Sequence, residues 1–80
     1  MRSYTIVITE EPDGSAYNVA VPALAGCFTY GVTLTEAIEH AHDAIRTHVE
    51  SLVDDGEPLP NDVKTLLTTV QLEIPEVASV

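Results

Sequence analysis

The chain has 80 residues, with three Lys and Arg against 13 Asp and Glu, for a formal net charge of −10. That balance repels a phosphate backbone and draws a cationic partner, so no direct nucleic-acid binding is expected. One Cys excludes an internal disulfide, and no apolar run approaches the roughly 18 residues that cross a membrane. Residues 1–80 give room for one domain with a small core, which a homo-oligomer, dimer or tetramer, would supplement. The start, Met1-Arg2-Ser3-Tyr4, lacks a signal-type apolar region, and a soluble, cytoplasmic protein is expected.

Tyr4, Ile6 and Ile8 alternate with Thr5, Val7 and Thr9, predicting a first strand from Tyr4 to Glu10. Glu11-Pro12-Asp13-Gly14 then reads as a turn, with Pro at its second position and Gly at its fourth. A second strand, antiparallel to the first, is carried by Tyr17, Val19 and Val21 and ends at Pro22, which has no amide to donate. Phe28 to Tyr30 predicts a short third strand. Thr33-Leu34-Thr35-Glu36 reads as a capping box in which the Glu36 side chain returns to the Thr33 amide.

The helix it opens runs from Leu34 to Asp55, with Leu34, Ile38, Ala41, Ile45, Val49 and Leu52 as its apolar stripe. Gly56 and the prolines of Glu57-Pro58-Leu59-Pro60 end it. Val70, Leu72 and Ile74 alternate with Gln71 and Glu73, predicting a fourth strand within Leu66 to Ile74. The expectation is an α+β fold, β-β-β-α-β, in which a four-stranded mixed sheet of order 3-2-1-4 carries one long helix on one face.

The stretches "YTIVITEEPDGSAYNVAVPALAGCFTYGVTLTEAIEHAHDAI" and "LVDDGEPLP" resemble the HicB antitoxin family. The shared features are a strand and acidic hairpin, a V-P-x-L-x-G-C turn, a T-L-x-E-A helix start and a D-G-E-P-x-P exit. Ala23 and Ala25 stand where that pattern usually has Asp and Pro. The resemblance implies a partial RNase H-like fold and a non-catalytic antitoxin that masks a small, basic, mRNA-cleaving toxin of the HicA type. It implies oligomers as well. The C-terminal DNA-binding domain that many relatives add is not expected after Pro75.

In the V-P turn, Pro22 stops a strand, Gly26 allows positive φ, and Cys27 needs only to be small and apolar. These three are read as architecture. Glu36, Glu39, Asp43 and Glu50 fall within an arc of roughly 60° opposite the apolar stripe and are the candidate partner-binding residues. His40 and His42 point about 160° apart and cannot share one metal. Glu36, His40 and Asp43 share a face that a solvated helix also explains, and His48 sits in the apolar arc as a core or interface residue. No cofactor or metal is implied. The alternatives are an orphan module binding a protein or small ligand, and a metal-dependent nuclease. The nuclease would need converging carboxylates, for which only Glu10 and the distant Glu73 are on offer.

Overall fold

Turn chemistry sets the first hairpin. Gly14 has φ +75°, a left-handed value that costs glycine nothing. Its amide donates to the Glu11 carbonyl at 2.8 Å, and the Glu11 amide donates to Ala16 at 2.8 Å. The flanking strands, β1 (Val7–Glu10) and β2 (Tyr17–Ala20), pair antiparallel with Val7 opposite Ala20 and Glu10 opposite Tyr17. In this computed structural model, which describes residues 2–75, the chain then passes through the V-P turn into β3 (Phe28–Gly31). β3 is antiparallel to β2, with Val19 opposite Thr29 and Tyr17 opposite Gly31. The sheet order is β1-β2-β3. Regular pairing of β1 begins at Val7 rather than Tyr4, in keeping with Pro22 ending the strand opposite.

The helix α1 (Leu34–Asp54) starts at Thr33, whose extended backbone lets its hydroxyl accept from the Glu36 amide at 3.1 Å. The Glu36 carboxylate accepts from Val32 at 3.0 Å, one residue further out than the capping box predicted. At the other end Gly56, with φ +70°, donates to Val53 at 3.0 Å while Glu57 donates to Leu52 at 2.9 Å. These bonds occupy carbonyls that the last turn would leave open.

α1 lies over β3 and β2 and packs two linked clusters. Val19, Ala37 and Ala41 form one, with Ile6, Ile8 and Tyr17 against them; Val21, Leu24 and Cys27 form the other, with Tyr4, Ile6, Ala44, Ile45 and Val49. Of the expected stripe, Ala41 is buried and Ile45 and Val49 pack against the second cluster, while the other buried helix position is Ala37. Leu34 and Ile38 remain 49% and 48% exposed. Gly31 explains the offset: it brings β3 almost onto the backbone of Glu36 and Ala37, so the small residues take the line of contact.

The predicted fourth strand is not seen. Among the described residues the sheet has three strands, all antiparallel rather than mixed. After Pro58 the chain fastens to the N-terminal segment. The Tyr4 hydroxyl donates to the Pro60 carbonyl at 2.6 Å, and the Asp62 carboxylate accepts from the Thr5 amide at 2.9 Å and the Thr5 hydroxyl at 2.7 Å. Residues 63–75 then run on outside regular secondary structure, with Leu66, Leu67, Val70, Leu72 and Ile74 between 69% and 79% exposed. Alternation gives a segment one apolar face, but a strand also needs a neighbouring backbone.

The Asp62 clasp has a pH signature. The Thr5 amide bond, and then the Thr5 hydroxyl bond, hold its carboxyl below the ordinary value of 3.8. A pKa depressed in the folded state stabilises above the unfolded value and loses that contribution as pH falls through the folded one. The Thr5 amide resonance should therefore shift on acidification with a midpoint below 3.8, and Asp62→Asn should abolish that transition. A midpoint at or above the ordinary value would show that the clasp does not form.

Candidate partner-binding site

The outward face of α1 collects charge because its inward face is occupied by Ala37 and Ala41. Glu39, Asp43 and Glu50 are exposed on it, and Asp54 continues the ridge at the helix end. Glu36 is half-buried at the first turn, where its carboxylate is engaged with the Val32 amide. Twenty-one residues at about 1.5 Å each make the helix that carries the ridge roughly 31 Å long. Arg46 is the single Lys or Arg of the helix, and its guanidinium lies 3.3 Å from His42 Nδ1. His42 Nδ1 in turn lies 3.8 Å from the Asp43 carboxylate. Like charges so placed sum into a negative potential over one surface.

Beside the ridge, a shallow groove of about 510 Å³ runs between α1 and β3. Cys27, Phe28 and Thr29 line it from the sheet, and His40, Asp43 and His48 from the helix. No His lies near Cys27 in sequence; the fold brings His40 and His48 to the same groove. The signal that would have joined them is their spacing, since positions 40, 44, 47 and 48 share one helix flank. His40 Nδ1 lies 2.7 Å from the Tyr30 carbonyl; because a carbonyl only accepts, Nδ1 carries the proton and ties α1 to β3. Among the described residues, no group of three or more His, Cys, Asp and Glu gathers as a metal site. Glu36, His40 and Asp43 do not converge, and Glu10 and Glu73 lie at the end of β1 and in the extended tail.

The V-P turn closes on itself. Leu24 donates to Val21 at 3.0 Å, Cys27 to Leu24 at 3.1 Å and Val21 to Cys27 at 3.2 Å. Pro22 is exposed at the start of the turn, Gly26 has φ +77°, and Cys27 is a buried free thiol. Burial pushes that thiol's pKa up, which disfavours the thiolate a nucleophile requires. Cys27→Ala should cost about 1 kcal/mol of stability through lost packing and leave partner affinity unchanged. Thermal melts and a binding titration check this together; lost binding at full stability would assign Cys27 a chemical role.

The outer face of the sheet is a second surface of note. Phe28 and Tyr30 lie there beside Ala20 and Asn18, and Phe28 is 72% exposed. At four residues, β3 is too short for alternation alone to orient these aromatics.

The family described as the HicB-like antitoxin of bacterial toxin-antitoxin systems matches residues 4–77. A UPF0150 protein of Thermoplasma acidophilum is 49% identical over 59 residues, which cover 74% of this chain and 84% of the relative. A 14.9 kDa protein of Haemophilus phage HP1 is 46% identical over 57 residues, covering 71% of this chain and 41% of the phage protein. Among solved structures, the N-terminal domain of Burkholderia pseudomallei antitoxin HicB is similar, with a TM-score of 0.59 and 38% identity. That match covers 80% of this chain and 69% of the other.

Proposed function

The chain belongs to the HicB-like antitoxin family, and from that premise we propose that it neutralises a small, basic, RNA-cleaving toxin of the HicA type by binding it. The observation that carries this reading is the acidic ridge of α1: Glu39, Asp43 and Glu50 lie exposed on one face of a chain with a net charge of −10. A ribonuclease that grips RNA offers a cationic surface, and an acidic protein surface competes for it. Glu36 extends the ridge toward the helix start, while Pro22, Gly26 and Cys27 shape the turn beneath it. In this reading the protein contributes binding and no catalysis, recruits no cofactor, and acts as a cytoplasmic homo-oligomer.

Among the described residues, no helix is long and apolar enough to cross a membrane. The test is co-expression with the product of a neighbouring short reading frame encoding a basic protein. The two should leave a size-exclusion column together in low salt and dissociate as salt rises. Separate elution at low salt would instead support an orphan binding module.

A further inference from the structure

The β3 edge of the sheet is closed along part of its length and open along the rest. β3 pairs with β2 on one side only. Val21 donates to Cys27 at 3.2 Å, so by antiparallel alternation Cys27, Thr29 and Gly31 turn their amides and carbonyls toward β2, while Phe28, Tyr30 and Val32 turn theirs outward. α1 runs back along this edge and closes it at two places. The Glu36 carboxylate accepts from the Val32 amide at 3.0 Å, and His40 Nδ1 donates to the Tyr30 carbonyl at 2.7 Å.

The two caps follow a register. Four helix residues advance about 6 Å and two strand residues about 6.7 Å, so side chains four apart on α1 meet positions two apart on β3. The next cap in the series falls at residue 44, opposite Phe28. That residue is Ala, which has no polar atom to offer. Among the described residues nothing bonds to the Phe28 amide and carbonyl or to the Tyr30 amide. Capping of the kind that protects strand edges from stray pairing therefore stops one step short. The groove of about 510 Å³ opens at that step, with Cys27, Phe28 and Thr29 on one side and Asp43, Ala44 and Thr47 on the other.

We propose that an extended segment of the basic toxin adds as a strand to β3 at Phe28 and lies in this groove. The proposal rests on the antitoxin reading and names the surface that holds the toxin once the acidic ridge has steered it in.

Charge selects the occupant. Alternate side chains of an added strand fall on opposite faces. Those turned inward meet the Asp43 carboxylate and the His40 ring, whose Nε2 is an acceptor in the neutral form because Nδ1 carries the proton. Lys or Arg suits both. The side chain turned outward lies beside the exposed Phe28 and Tyr30, where an apolar residue covers aromatic surface. The segment is therefore extended, with basic residues flanking an apolar one. Main-chain bonds give such an addition its affinity and the alternate side chains its specificity. Asp43 belongs to the ridge and to the groove alike, so the two surfaces are continuous. A second copy of this chain, with a net charge of −10, fits beside Asp43 less well.

The experiment measures amide hydrogen exchange and binding with the basic protein encoded by the neighbouring short reading frame. The Phe28 and Tyr30 amides should exchange rapidly in the free chain and slow by about tenfold or more in the complex. Phe28→Pro removes an outward amide and none that the ladder uses, and should weaken the complex about tenfold, the worth of one hydrogen bond. Phe28→Ala keeps the amide and should weaken it far less. Unchanged exchange at Phe28 and Tyr30 beneath a bound toxin overturns the proposal while leaving the antitoxin reading in place, as do equal losses in the Pro and Ala variants. Protection already present in the free chain overturns it too, since a second copy would then hold the edge. A wild-type chain that binds no toxin overturns the antitoxin reading, and this proposal with it. If Phe28→Pro fails to fold, the wild-type exchange alone decides.

Discussion

Alanine at Gly31 should lower the melting temperature by roughly 15 °C, because its Cβ would collide with backbone rather than with a movable side chain. The added carbon would fall against the Ala37 amide nitrogen, 2.7 Å from the Ala37 Cα and 2.8 Å from the Glu36 carbonyl carbon. Relief requires α1 to lift from β3, which opens the cluster of Val19, Ala37 and Ala41. The cost is about 3 kcal/mol by the scale of overpacked cores. Gly26→Ala is the control. No atom lies within 4 Å of its added Cβ, so only the strain of φ +77° remains, worth about 1 kcal/mol. Thermal melts of the two variants should rank Gly31→Ala clearly below Gly26→Ala, and equal melting temperatures would contradict the close helix-sheet approach.

The second large effect is on association. Reversing Glu39 and Asp43 to Lys should slow binding to a basic toxin about tenfold or more at low salt and flatten its salt dependence, since charges at an interface rim act mainly on encounter. Both residues are exposed and opposite the packed alanines, so the melting temperature should hold. Stopped-flow association of wild type and double variant across a salt series measures this. An unchanged on-rate at low salt would move the toxin surface to another part of the molecule, with the exposed Phe28 and Tyr30 the next to test.

Local signals carried most of the three-strand and helix architecture. The Glu11–Gly14 turn, Pro22, the Thr33 cap and Gly56 each act over a few residues, so their consequences are legible from neighbours in sequence. Two features were not. The packing line of α1 is set by how closely β3 approaches at Gly31, a tertiary distance that hydrophobic periodicity does not encode; periodicity therefore favoured Leu34 and Ile38 over Ala37. The pairing of Leu66–Ile74 depends on which backbone lies beside it, and alternation is silent about that. The acidic ridge was visible as a spacing of Glu39, Asp43 and Glu50. Its neighbour, the groove that joins Cys27 to His40 and His48, needed the sheet and the helix to be placed together.

The proposed silencing of a ribonuclease by binding is tested by the cleavage of a labelled mRNA by the partner toxin as this protein is titrated in. Cleavage should fall to background at a fixed stoichiometric ratio, and the Glu39→Lys, Asp43→Lys variant should need a clear excess to do the same. Cleavage that continues undiminished at a tenfold excess of the wild-type protein would contradict it.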